Sequence, residues 1–453
     1  MIRRVDYRTP DGRKDLEILR LLLTSEQGAI WGDNTPEKAE DIVRDILHNV
    51  KVMKDAAVRS LPLDEVCRRG DAKVCEYTKQ FDGVSVQELR VPDETIEAAY
   101  KSMPREFIQT VTRIRDSVRR FQRHVLPRDR KPLVRDGRTL RLVYRPLARV
   151  GVYVPGGKAF YPSTVLMTAV PALAAGVPEV AVASPPTYEG DIHPSVLAAC
   201  RVAGVSEIYR MGGVQAIAAF AYGTETVKAV EKIVGPGNAY VQLAKRIVFG
   251  RVDIDSFAGP SEVMILADAA ADARLVAADM LSQAEHDPGS AILVTPSETL
   301  ADAVAAELEK QVAALARADA ARAALEKYSA IVLVGHVDEA AAVVNRFAPE
   351  HLEIQVRNQE DALRNIRCAG AVFLGKYTPV AVGDYVAGPS HTLPTGGTAR
   401  WASGLTANDF LRAMSVVEYD RQALAADAAD ILRMAEVEGL SAHAESVRKR
   451  LEK

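Results

Sequence analysis

Hydrophobic and polar positions along the chain follow two periods, one typical of helices and one typical of buried strands. Between Pro104 and Leu126, apolar residues recur every three or four positions, which predicts one amphipathic helix. From Arg149–Gly157 onward, short continuous apolar runs such as Glu179–Ser184 alternate with helical segments rich in small residues. This alternation predicts βαβ units, and the unbroken apolar strands predict a parallel sheet that is covered on both faces.

A second series of apolar runs extends from Val263–Ala269 to Gly370–Gly375. Helical segments lie between these runs, including a long one predicted over Leu300–Tyr328. Two such series predict two α/β units, each with its own sheet. Loops are predicted for Tyr377–Gly404, and a helical tail is predicted for Asp409–Lys453.

Composition and charge narrow the class of protein. The 453 residues suit two to four lobes of roughly 100–200 residues each. A formal net charge of −3 provides no global field that would attract nucleic acid or an anionic membrane. The N-terminus lacks a signal-type apolar core, no apolar run approaches the ~18 residues of a membrane span, and the four cysteines show no CxxC spacing. We therefore expect a cytoplasmic protein with no nucleic-acid or membrane partner.

The eight histidines fall into two groups. Four lie at predicted element ends beside carboxylates, prolines or glycines, where α/β proteins build their sites. These four are His286, His351, His391 and His443. The others lie in helical or turn contexts without polar companions, and we predict that they are structural. These are His48, His124, His193 and His336.

A possible metal site begins with Gln283 and His286, which are three apart on a predicted helix and so project from one face. Asp287-Pro288 would end that helix. A histidine that only favours the helix dipole is the slightly better interpretation of this motif alone. A metal would need further ligands, and Asp384 and His443 are candidates. Together the four side chains would suit Zn²⁺.

Glu350 and His351 stand side by side at the start of a predicted strand, and Pro349 places them near the preceding loop. Such a pair offers a base near neutral pH and a partner that orients it or activates water. A chance surface pair is the alternative interpretation. Glycine turns after predicted strands suit close backbone approach to a ligand, and the absence of a Walker A loop argues against an NTPase.

Seven segments, in order, resemble the signature segments of histidinol dehydrogenases. They read GVYVPGG, GPGNAY, AGPSEVMILAD, LSQAEHDP, APEHLEI, GDYVAGPSHTLPTGGTAR and EGLSAH. The set is specific, although no single motif is. The resemblance implies an α/β fold of two Rossmann-like (aldehyde-dehydrogenase-like) lobes with parallel sheets. It also implies a helical N-terminal region and a helical C-terminal tail exchanged between subunits. Around Lys51–Val66 the chain looks about 15 residues longer than the family's N-terminal region.

The resemblance divides the chain into four parts. Residues 1–60 would form the N-terminal helical region. Residues 61–148 with 262–390 would form the first large α/β lobe, which carries the metal and acid–base residues. Residues 149–261 would form the NAD-binding lobe, and residues 391–453 the C-terminal loop and tail that reach the partner subunit.

The implied function is the zinc-dependent oxidation of L-histidinol to L-histidine through bound histidinal with two NAD, the final steps of histidine biosynthesis. The resemblance implies one Zn²⁺ per subunit and a homodimer with shared active sites. The implied acid–base pair is Glu350 and His351. The implied metal ligands are Gln283, His286, Asp384 and His443. The implied substrate contacts are these ligands with Ser261, His351 and Glu438. The implied NAD contacts are Tyr153, Gln215 and Asn238.

Two other functions remain open. A sibling dehydrogenase could oxidise another primary alcohol to an acid, although Glu438 near His443 favours an amine-bearing substrate because a carboxylate suits an ammonium group. The second is a metal-stabilised or nucleic-acid-binding protein that uses the arginine-rich face of the Pro104–Leu126 helix. The balanced charge of the chain argues against it.

Overall fold

A computed structural model describes residues 2–24, 35–55, 68–128, 130–157, 159–256, 261–286 and 289–452. Asp287-Pro288, the predicted helix stop, lies outside these residues, as does most of the predicted insertion around Lys51–Val66. In the part of the chain that is described, no helix is both long and apolar enough to cross a membrane.

Among the described residues, five helices follow the first strand, and strands alternate with helices over most of the chain from Arg149 onward. The strands are β1 (Arg3–Asp6), β2 (Leu133–Arg135), β3 (Arg138–Pro146), β4 (Arg149–Tyr153), β5 (Glu179–Ser184), β6 (Glu207–Arg210), β7 (Lys232–Val234), β8 (Asp253–Ile254), β9 (Ser261–Ala267), β10 (Gly289–Thr295), β11 (Ala330–Leu333), β12 (His351–Gln355), β13 (Ala371–Leu374) and β14 (Leu411–Tyr419). The helices are α1 (Pro10–Thr24), α2 (Pro36–Asp55), α3 (Arg68–Asp82), α4 (Asp93–Ser102), α5 (Arg105–Val125), α6 (Pro162–Ala174), α7 (Pro194–Ala203), α8 (Gly213–Tyr222), α9 (Ala239–Val248), α10 (Ala273–Ala284), α11 (Glu298–Val312), α12 (Ala318–Lys327), α13 (Val337–Phe347), α14 (Gln359–Arg364), α15 (Val380–Tyr385), α16 (Arg421–Val437) and α17 (Ser441–Leu451).

The first parallel sheet has the strand order β6-β5-β4-β7-β8. Side chains along β4 alternate between two layers of helices. Val150 and Val152 pack into the core under α6 and α7. Tyr153 and the neighbouring Ala181 pack into the core under α8 and α9. The sheet is therefore covered on both faces, and the prediction from the continuous apolar runs is confirmed.

The second parallel sheet has the order β1-β11-β10-β9-β12-β13, also with a hydrophobic core on each face. The sequence predicted helices at the N-terminus, and α1 and α2 confirm them. It did not predict β1, which pairs with β11 from Arg3 opposite Ala330 to Asp6 opposite Leu333. Only Val5 of this edge strand is buried, so its sequence shows no strand period. Pairing with β11 decides its conformation.

Two predicted elements differ from the structure. The tail from Asp409 is not helical throughout, because Leu411–Tyr419 forms strand β14 and pairs antiparallel with β3. Most of β14 is exposed, so no buried stripe marks it in the sequence. The helix predicted over Leu300–Tyr328 is two helices, α11 and α12, that pack into one core. No glycine or proline marks the break between them.

Candidate active site

A cleft of about 410 Å³ lies between the two parallel sheets. One wall is formed by loops at the carboxyl ends of β4, β7 and β8, including Pro155, Gly235 and Asp255. The other wall is formed largely at the amino ends of β9, β10 and β12, so the second sheet presents the opposite end of its strands to the cleft. Six predicted site residues line it: Ser261, Gln283, His286, Glu350, His351 and Asp384.

His351 is the first residue of β12 and is only 3% exposed. Its Nδ1 donates a hydrogen bond to the Glu262 carbonyl oxygen at 3.1 Å, which leaves Nε2 unprotonated in the neutral ring. Among the described residues, nothing hydrogen-bonds to Nε2, and the closest carboxylate, Asp384 Oδ1, lies 3.8 Å away. Burial alone would lower the pKa of His351. The Glu350 and Asp384 carboxylates outweigh that effect and raise the pKa to about 9.

Glu350 is buried directly before β12. The left-handed Ala348 (φ 53°) ends α13, and the chain then enters the strand. The Glu350 Oε2 atom accepts from the Glu262 backbone N–H at 3.0 Å, and the Ser261 hydroxyl lies at the same distance. Oε2 is also 3.5 Å from His351 Nδ1. Burial raises the pKa of Glu350, whereas the His351 charge opposes the rise. The predicted Glu–His pair is therefore a buried, hydrogen-bonded unit and not a chance surface pair.

Gln283 and His286 lie at the end of α10. Gln283 is in the last turn, 2% exposed, and its Oε1 atom is 2.9 Å from the Ser261 hydroxyl. His286 lies just past the helix end, and its backbone N–H donates to the Gln283 carbonyl at 3.1 Å. Burial lowers the pKa of His286, which favours the neutral imidazole that binds metals. Asp384 reaches the same cleft from α15.

These three side chains supply an amide oxygen, an imidazole nitrogen and a carboxylate oxygen, which are donors that suit Zn²⁺. Within the described residues, no group of three or more His, Cys, Asp or Glu side chains is arranged to hold a metal ion. The fourth implied ligand, His443, is exposed at the start of α17 and does not line the cleft. Glu438, at the C-terminal end of α16, is also exposed outside it.

The three residues implied for NAD lie at the carboxyl ends of the first sheet. The buried Tyr153 hydroxyl accepts from the Gly213 N–H at 3.2 Å, at the start of α8. Gln215 follows in that helix and is 1% exposed, and neither of its amide atoms has a hydrogen-bond partner among the described residues. Asn238 caps α9 by accepting from the Val241 N–H at 3.1 Å. An orphaned buried amide beside two helix N-termini fits a polar, anionic ligand.

A buried ion pair holds the loop after β7. Lys245 and Asp255 side chains are 1% and 2% exposed and contact each other directly. Asp255 accepts from the Gly235 N–H at 2.7 Å, and Lys245 donates to the Gly235 carbonyl at 3.0 Å. Gly235 has a positive φ of 122°, and a Cβ there would stand 2.0 Å from the Tyr153 carbonyl oxygen. The pair therefore clamps a turn that only glycine can form.

We expect Lys245→Met to lower the free energy of unfolding by about 3–5 kcal/mol, because it leaves the Asp255 carboxylate buried without its positively charged partner. Denaturant unfolding measures this change. Lys228→Met is the matched control, since the Lys228 side chain is 74% exposed and its Nζ lies 3.7 Å from Glu179. Equal, small effects of the two substitutions would contradict the prediction.

The structure brings two further residues to the site. His391, for which the sequence provided no role, lines the cleft with Nδ1 3.2 Å from the Asp384 carbonyl oxygen. Glu262 contacts both Glu350 and His351 but stands in an apolar run that reads as a strand. Two of the four histidines that we predicted to be structural cap helices. His193 caps α7, and His336 caps α13.

The fold and the cleft define an α/β enzyme with a buried histidine–carboxylate pair between two parallel sheets. The family model for histidinol dehydrogenase matches residues 55–451. A histidinol dehydrogenase of Rhodopirellula baltica is 48% identical over 453 residues, which is 100% of this chain and 98% of that protein. One from Heliobacterium mobile is 50% identical over 395 residues, 86% of this chain and 92% of that protein. The crystal structure of histidinol dehydrogenase from Elizabethkingia anophelis superposes with a TM-score of 0.89 at 32% identity, covering 99% of this chain and 98% of that one. This chain therefore belongs to the histidinol dehydrogenase family of oxidoreductases.

Proposed function

We propose that this protein oxidises L-histidinol to L-histidine by way of bound histidinal, in two NAD-dependent steps that complete histidine biosynthesis. The observation that carries the proposal is the buried His351 Nε2 atom, which has no hydrogen-bond partner among the described residues and faces the cleft beside Asp384. Family membership supports the same activity.

His351 acts as the base in the first oxidation. Its Nδ1–H is held by the Glu262 carbonyl, so the neutral ring presents its Nε2 lone pair to the cleft, where the substrate hydroxyl would bind. Nε2 takes the hydroxyl proton as the carbinol carbon loses hydride. When bound, NAD⁺ would supply the hydride acceptor, so loss of the proton and the hydride would convert the alcohol to the aldehyde.

Glu350 acts between the two oxidations. Its Oε2 atom already accepts two hydrogen bonds and lies 3.5 Å from His351. A water positioned by this carboxylate adds to the aldehyde and Glu350 takes the proton that the water loses. His351 returns the proton that it took in the first step to the former carbonyl oxygen, which forms the hydrate and restores the base. His351 then removes a hydrate proton in the second oxidation, in which a second NAD⁺ would accept the hydride, and the resulting acid ionises to the carboxylate. Burial of both residues keeps bulk water away from the reactive aldehyde.

Gln283, His286 and Asp384 would hold one Zn²⁺ per subunit, and His443 of a second chain would complete the set. When bound, the zinc ion would supply a charge that orients the substrate. Glu438 would contact the substrate's ammonium group by charge. Ser261 would contribute a hydroxyl from the wall of the cleft. This hydroxyl lies within hydrogen-bond distance of both Gln283 Oε1 and Glu350 Oε2.

Tyr153, Gln215 and Asn238 would bind NAD. They lie at the carboxyl ends of parallel strands, the usual place for a dinucleotide in an α/β sheet. The loops after β4 and β7 also form one wall of the cleft, so a dinucleotide held there borders the space that His351 faces.

A homodimer with shared sites explains the exposed tail. Strand β14 is exposed over most of its length, and the sheet β14-β3-β2 and the adjoining α16 carry many exposed apolar side chains. These are Leu133, Val134, Leu140, Leu142, Met414, Val417, Tyr419, Met434, Val437 and Leu440. A surface of this kind marks a contact with another chain. Glu438 and His443 lie in or next to it, so a second copy seated there would receive both residues.

The direct test is NADH formation from L-histidinol with and without a metal chelator. We expect two NADH per histidine, loss of the rate after chelation, and recovery on adding Zn²⁺. Other primary alcohols serve as competing substrates. Turnover of one of these but not of histidinol would favour the sibling dehydrogenase, and full activity in the chelated enzyme would contradict the metal assignment.

A further inference from the structure

Glu262 is a buried carboxyl that the proposed chemistry does not use. It is the second residue of β9 and is 8% exposed. His351 lies opposite Val263 in the β9–β12 pairing, so Glu262 and Glu350 face each other one step earlier, at the amino ends of the two strands.

The two glutamates exchange hydrogen bonds. The Glu262 N–H donates to Glu350 Oε2 at 3.0 Å, and the Glu350 N–H donates to Glu262 Oε1 at 3.2 Å. Glu262 Oε1 also accepts from the Gly396 N–H at 3.0 Å. The Glu262 side chain therefore ties the backbone of Glu350 to the loop at Gly396, next to Thr395, which lines the cleft.

His351 depends on Glu262 in a different way. Its Nδ1 bonds to the main-chain carbonyl of Glu262, a group that every residue provides. Loss of the Glu262 side chain would leave this bond in place, since β9 and β12 remain paired. Glu350 would instead lose the anchor on its own N–H.

We infer that Glu262 is a positioning residue that holds Glu350 in place for the water-activating step, through the crossed backbone–carboxylate hydrogen bonds. Its side chain matters much less for proton removal by His351. This inference rests on the proposed function, because it assigns Glu262 to one half of that reaction.

The test compares the first-turnover burst of NADH from L-histidinol, which reports the first oxidation alone, with steady-state NADH formation from L-histidinal in variants at position 262. In Glu262→Ala we expect the aldehyde rate to fall about 10- to 100-fold, as for loss of a group that orients an active-site residue. The initial oxidation of the alcohol should fall much less. Glu262→Gln keeps an oxygen that can accept both N–H groups, so we expect it to restore the aldehyde rate to within a few-fold of the parent.

The control separates positioning from lost stability. Glu207 is a partly buried carboxylate at the amino end of β6, in the other sheet, and it pairs with Arg149. Glu207→Ala should lower the stability of the fold. It should lower the alcohol rate and the aldehyde rate by the same factor. Equal loss of the two rates in Glu262→Ala, or no recovery in a folded Glu262→Gln, would overturn the inference alone. A parent enzyme inert with both substrates would overturn the proposed function, and the inference with it.

Discussion

Replacing His351 with asparagine is expected to lower kcat by about 10²–10⁴-fold, the usual contribution of a positioned general base. Asparagine retains a polar group near the Glu262 carbonyl but has no basic nitrogen in place of Nε2. The zinc content of the purified variant should match the parent, because His351 is not one of the proposed ligands. Steady-state NADH formation and metal analysis on the same preparation measure both effects.

The matched control for this substitution is His336→Asn. His336 accepts from the Glu339 N–H at the start of α13, and asparagine is an equally good helix cap. This variant should keep the parent rate. A His351→Asn enzyme that turns over histidinol at the parent rate would remove the base assignment.

Chains carrying His351→Asn and chains carrying His443→Ala should each be inactive alone but active when combined. If the tail completes the neighbour's site, a heterodimer has one site with both native histidines and one site with neither. Heterodimers isolated through two different affinity tags should then recover about half of the parent activity. Recovery follows from the exposure of His443 outside its own cleft.

The strongest control pairs the parent chain with a chain that carries both substitutions. In a shared-site dimer each site of this heterodimer lacks one histidine, so it should be nearly inactive. If each site belonged to a single chain, this heterodimer would keep the activity of its parent chain. The heterodimer of the two single variants would then be inactive. The two heterodimers therefore have opposite outcomes under the two arrangements.

Sequence periodicity predicted the elements whose burial is regular. The amphipathic helix at Pro104–Leu126 is confirmed as α5, and the apolar runs are confirmed as strands of two parallel sheets. The predictions missed or misassigned the strands that have no regular buried face. Strand β1 depends on pairing with β11, and strand β14 is mostly exposed, so neither carries the pattern that a buried face imposes.

Six residues assigned to the site from their chemistry or from the family resemblance line the candidate cleft. Glu350 and His351 adjoin each other in sequence, so the pair could be noticed without distant information, and the structure then showed that it is buried. Glu262 was missed because it looks like an ordinary strand residue between Ser261 and Val263. Its hydrogen bonds reach Glu350, 88 positions away in the chain, and no local spacing records such a contact.

By itself, the sequence determined the α/β class, the two series of strands and the residue types that can bind a metal or carry protons, because periodicity and side-chain chemistry are local properties. Only the tertiary structure decided which residues meet. It brought Gln283, His286, Asp384 and His351 to one cleft, left Glu438 and His443 on the surface, and set the amino ends of one sheet against the carboxyl ends of the other. The physical reason is that strand pairing and core packing join segments that are far apart in the chain. A local sequence pattern does not show which distant segments will meet.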